Sequence, residues 1–108
     1  MLVTEFQNRV AAWSDKNFTD ALGIDVAKDK LLGVAEEVGE LCHAILKLSQ
    51  GIRTDEPHLE NAQDAVGDIM LYLADFCHRM GFCMEECMVT ALETVEKRNW
   101  KDNPATGQ

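Results

Sequence analysis

Between Leu31 and Lys47 the chain reads LLGVAEEVGELCHAILK, and between Asp64 and Leu73 it reads DAVGDIMLYL. Apolar residues in both stretches recur at steps of three and four, the signature of a helix that buries one face. On a wheel of about 100° per residue, Leu31, Val34, Ala35, Val38, Leu41, Cys42 and Ile45 form one broad stripe, the expected core face of a bundle helix. Glu37 and Glu40 fall on one flank of that stripe. Gly33 and Ala44 sit one turn to either side and leave room beside the carboxylates, while Glu36 lies further round, toward solvent. Like charges at i and i+3 repel by a few tenths of a kcal/mol. For this helix alone a solvated acidic face is the simpler account; a divalent cation would instead convert the repulsion into binding.

Periodicity places three further elements around these. A first helix is expected from Leu2 to about Trp13, carrying Val3, Phe6, Val10 and Trp13 on one side. A polar connection follows to Asp29, with Phe18, Leu22 and Ile24 as apolar plugs over the end of a bundle. The second helix then spans about Val26 to Gln50, with Gly51 as its C-terminal cap. Thr54 or Asp55 can cap the third, from about Pro57 to Met80, and Gly81 stops it. Its apolar face is Leu59, Val66, Met70, Leu73 and Cys77; Asn61, Asp64, Asp68, Asp75 and Arg79 lie opposite. A fourth helix, about Met84 to Arg98, turns Met84, Met88, Ala91, Leu92 and Val95 inward. Residues 100 to 108 read as a flexible tail.

The expected fold is therefore all-α, one domain over residues 1–108, a small four-helix bundle. A core this small gains from self-association, so oligomerisation is expected to complete it. A net charge of −9 excludes a non-specific surface for nucleic-acid polymers or anionic membranes. No apolar run reaches the length of a membrane span, and the start, MLVTEFQNRVAAW, lacks the pattern of a signal peptide, so a cytoplasmic protein is expected. Cys42, Cys77, Cys83 and Cys87 then read as free thiols, Cys42 and Cys77 on core faces. The Cys83–Cys87 spacing is looser than that of a structural zinc knuckle.

If helices two and three form an antiparallel hairpin turning near residue 54, residues are level when their numbers sum to about 109, given equal rises of about 1.5 Å. Glu40 and Asp68 nearly meet this condition. Glu37 is one turn off, and Asp64 shares the face of Asp68 at i, i+4. Glu37, Glu40, Asp68 and Asp64 can thus converge as Mg²⁺ needs, with waters completing the octahedron. The competing metal reading rests on Glu40-x-x-His43 and Asp75-x-x-His78, which resemble the acid-x-x-His steps of di-iron bundles. Asp75 is out of level with Glu40 by roughly 9 Å, and no glutamate from helix one or four completes that set, which weighs against iron.

EEVGE, holding Glu36, Glu37 and Glu40, followed by GDIMLYL from Asp68, resembles the EExxE…ExxD pattern of MazG-like nucleotide pyrophosphohydrolases. The resemblance runs from the first helix to the KRNW segment. It implies hydrolysis of a (d)NTP to the (d)NMP and pyrophosphate, a nucleotide-pool house-cleaning reaction. It also implies Mg²⁺, or Mn²⁺ in its place, on the motif carboxylates, and assembly as a homodimer or homotetramer. By position, Glu37 and Glu40 would be ligands of the first motif, Glu36 a ligand or base, and Asp68 the ligand of the second. The first acid of ExxD falls on Ala65, and Asp64 is the expected substitute.

Independently of that resemblance, a triphosphate would want cations, for which Lys47 and Arg53 are candidates, with Lys97, Arg98 and Lys101 at the basic end of the chain. Related enzymes place a basic residue after the last helix on the phosphates, which selects Lys97 or Arg98; helix-end cations that favour the dipole are the alternative account. Trp13, Phe18 and Tyr72 could stack a base, although such aromatics are commonly core. Two other functions fit the same pattern: a non-catalytic helical interaction module, and the di-iron-like metal-binding bundle.

Overall fold

The computed structural model describes residues 1–108 and contains four helices: α1 (Val3–Asn17), α2 (Ile24–Gln50), α3 (His58–Met80) and α4 (Met84–Glu96). There is no strand. Two glycines end helices as expected. Gly51 and Gly81 take φ of 67° and 73°, a left-handed turn that costs a glycine nothing, and their N–H groups return to carbonyls of the last turn.

Other helix termini differ more from expectation. α1 continues four residues past Trp13, because Ser14 finds a buried partner on α3 instead of ending the helix. Neither Thr54 nor Asp55 caps α3; Pro57 occupies the cap position. For α4 the cap comes from another helix. The Gln7 side chain accepts from the Met84 N–H at 2.8 Å and donates to the Phe82 carbonyl at 2.8 Å, fixing the α3–α4 turn to α1.

α2 and α3 form the expected antiparallel hairpin, α1 packs on α3, and α4 packs on α1. The hairpin closes through small residues, with Ala27 and Ala44 of α2 and Ala62 and Ala65 of α3 all buried. A Cβ at Gly33 would overlap the Tyr72 ring, so that glycine is what admits the ring. A second contact zone joins Val10, Ala74, Cys77 and Met84, with Phe6, Met70, Leu73 and Phe76 around them.

The faces of the helices depart from the wheel. The α2 stripe points outward: Leu31, Val38 and Ile45 are 50%, 42% and 47% exposed, and Cys42 is exposed too. Its acidic flank faces α3. The physical reason is packing: α1 and α4 lie beyond α3, so nothing in the chain covers the bulky stripe, whereas the small flank lets α3 approach closely. On α3, Leu59 and Val66 are likewise exposed, while Asp75 and Arg79 are buried. The expected plugs Phe18, Leu22 and Ile24 are exposed, as are Met88, Ala91, Leu92 and Val95 of α4. Residues 99–107 fold into a turn of their own, with Gly107 buried against Trp100 and its carbonyl accepting from Asn99 N–H at 2.6 Å.

Only 15 of 108 residues are buried. The radius of gyration is 17.3 Å, against about 13 Å for a compact chain of this length. The molecule is open, and no helix is long and apolar enough to cross a membrane.

Candidate metal and nucleotide site

The α2 seam that meets α3 runs Ala27, Lys30, Val34, Glu37, Leu41, Ala44, each residue buried or half-buried. Glu37 therefore enters the helix interface as a core residue would. Its carboxylate lies with those of Glu36 and Glu40, all offering an oxygen within 4.8 Å of the others. Glu37 is 8% exposed, and its Oε2 has no hydrogen-bond partner. Burial pushes its pKa above the ordinary carboxylate value, and the negative charges of Glu40, Asp68 and Glu36, with a hydrogen bond to Glu40, push it the same way. An orphaned buried oxygen beside two further carboxylates is an arrangement that a divalent oxygen-seeking cation relieves; the expected partners Asp68 and Asp64 stand outside this group of three. The donor set fits Mg²⁺.

Asp68 stands between two cavities. One, of about 480 Å³, is polar and is lined by Glu40, Asp64, Asp68, His43, Glu56, Asn61 and the two alanines 44 and 65. The other, of about 460 Å³, has Glu37 and Asp68 on one wall and Trp13, Phe18, Leu71 and Tyr72 around it. The three aromatics singled out by sequence thus share one cavity, beside the carboxylates. Trp13 and Phe18 meet edge to face at 5.4 Å.

The cations fall differently. Lys47, Arg53, Lys97 and Arg98 line neither cavity. Lys47 is turned to Gln50 Oε1 at 3.4 Å, and Arg98 borders a shallow groove on α4 itself. The cation in the aromatic cavity is Lys30, whose Nζ lies 4.3 Å over the Phe18 ring and 3.3 Å from Asp75. Its signal was its place on the α2 seam, seven residues and two turns before Glu37, inside the expected second helix.

Behind this cavity is a buried ionic knot. Ser14 Oγ donates to Asp75 Oδ2 at 2.6 Å; Arg79 donates to Asp75 at 3.1 Å, to Ser14 Oγ at 2.7 Å and to the Ala21 carbonyl at 2.9 Å, and lies 3.0 Å from Asp15. His78 is engaged with Asp15 at 3.0 Å. Asp75 and His78 are therefore committed to holding α1 and the α1–α2 connection onto α3, which leaves the di-iron pattern without its second half.

Comparison with protein-family models, with curated proteins and with solved structures finds no match to this chain.

Proposed function

We propose that the chain is a Mg²⁺-dependent nucleoside triphosphate pyrophosphohydrolase, working as a MazG-like enzyme would. The observation that carries this reading is Glu37: a buried carboxylate with a free oxygen, flanked by Glu36, Glu40 and Asp68, on the wall of an aromatic cavity of about 460 Å³. Glu37, Glu40 and Asp68 would hold the cation, with Asp64 one turn away on the polar side in place of the acid absent at Ala65. When bound, Mg²⁺, or Mn²⁺ in its place, neutralises the triphosphate and lowers the pKa of a bound water.

The chain's own residues have separate tasks. Glu36, exposed beside Glu37, accepts the proton of the water attacking the α-phosphorus, and pyrophosphate leaves. Trp13, Phe18 and Tyr72 enclose the base, and Lys30 offers a donor to it or to the sugar-phosphate. The exposed stripe on α2, together with Leu59 and Val66, supports pairing into a homodimer or homotetramer. In such an assembly a partner's Lys97 or Arg98 would be available to the phosphates.

Incubation with mixed dNTPs and Mg²⁺ should release pyrophosphate. Glu40→Gln and Asp68→Asn should each lower kcat/KM by about 100-fold or more while leaving the helical circular dichroism unchanged. Inertness of the wild-type chain toward every nucleotide would refute the reading.

A further inference from the structure

The aromatic cavity has two unlike ends. Glu37 of α2 and Asp68 of α3 make one of them. At the other, Lys30 Nζ lies 3.3 Å from Asp75 Oδ2 and 4.3 Å over the Phe18 ring. Lys30 stands seven residues before Glu37 on α2, and Asp75 seven after Asp68 on the antiparallel α3. The two ends are therefore about 10 Å apart along both helices. Tyr72 lies against Gly33 between them.

The Lys30 end offers hydrogen-bond donors and little else. Asp75 borders it, but its oxygens are spent: Oδ2 accepts from Ser14 at 2.6 Å and from Lys30, and Oδ1 accepts from Arg79 at 3.1 Å. Asp29 borders it too, but is exposed, and an acceptor already served by water gains little from a ligand. An ammonium group has three donors and no acceptor. Lys30 gives one to Asp75, sets its charge on the Phe18 face and keeps a donor for whatever enters the cavity it lines. Its side chain is only 16% exposed, so water does not freely replace a missing partner.

We propose that Lys30 is a specificity-determining residue that selects nucleotides whose base carries a keto oxygen at its far edge. These are the 4-oxo pyrimidines uracil and thymine and the 6-oxo purines guanine and hypoxanthine; the 4-amino and 6-amino bases are disfavoured. The inference rests on the nucleotide reading of the site. With the phosphates at the carboxylate end, the sugar passes Tyr72 and the base edge meets Lys30, because the separation of the two ends matches the reach of a nucleotide from its α-phosphorus to the far edge of its base. A keto oxygen accepts the Lys30 N–H. An amino group in the same place sets donor against donor and leaves a largely buried cation unsatisfied.

The test is binding, so it does not depend on turnover. The full chain with Mg²⁺ is titrated calorimetrically with the α,β-imido analogues of dUTP, dCTP, dITP and dATP, which lack the bridging oxygen that hydrolysis would release. The dUTP analogue should bind about 10-fold or more tighter than that of dCTP, and the dITP analogue likewise over that of dATP. In Lys30→Met both preferences should vanish, chiefly through weaker binding of the keto members. A merely structural role for Lys30 would weaken every analogue alike. Equal or reversed preferences in wild type overturn the proposal, whether or not Lys30→Met folds. So do preferences that persist in a folded Lys30→Met. Pyrophosphate release from the natural nucleotides is scored separately. Release without a keto preference would sink the role of Lys30 and leave the hydrolase standing; a keto preference without release would do the reverse; neither binding nor release would remove both.

Discussion

Glu37 is the residue at which packing and charge conflict most. With its pKa raised in the folded chain, the native state holds that proton more tightly than the unfolded state does. Without metal, its contribution to stability is therefore full below the ordinary carboxylate pKa and is lost as pH climbs through the raised value. Thermal melts of the metal-free protein should show wild type falling relative to Glu37→Gln over that rise, and Mg²⁺ should restore wild type alone. Gly33 is constrained by shape instead. Gly33→Ala pushes a methyl group into the Tyr72 ring and should cost about 1–3 kcal/mol by denaturant unfolding. Much of that loss should return in Gly33→Ala/Tyr72→Ala, because the two side chains share one space. Arg79→Ala should cost about 3–5 kcal/mol, since it leaves the buried Asp75 carboxylate facing Ser14 and Lys30 alone.

At the scale of elements, helix existence was legible because apolar periodicity and two terminal glycines agree with one another. The register of the hairpin was legible too: Ala44 and Ala65 line one cavity with Glu40 and Asp68, as equal helical rises require. Which face turned inward was not legible on α2. A wheel ranks faces by hydrophobicity, whereas a single close helix pair is chosen by how small the contacting side chains are. The same substitution of criteria hid Lys30, a seam residue by position and a surface residue by type. Asp75 and Arg79 are an i, i+4 pair that a wheel assigns to water; their partner, Ser14, lies 61 residues from Asp75 in the chain, and no local pattern announces it. Gly81→Ala tests the part that was legible: it should cost about 1 kcal/mol, by forcing a Cβ into a left-handed turn.

For the whole molecule the decisive feature is the uncovered stripe on α2. Leu31, Val38 and Ile45 follow one another at seven-residue steps along one side of a 27-residue helix. If pairing covers them, sedimentation should find wild type larger than one chain, and Val38→Glu/Ile45→Glu should sediment as a monomer with its helices kept. Such pairing would also tie folding to abundance. A chain that finishes its interior only by meeting a copy of itself obeys mass action, so its melting temperature climbs with total concentration, and dilution alone should loosen it.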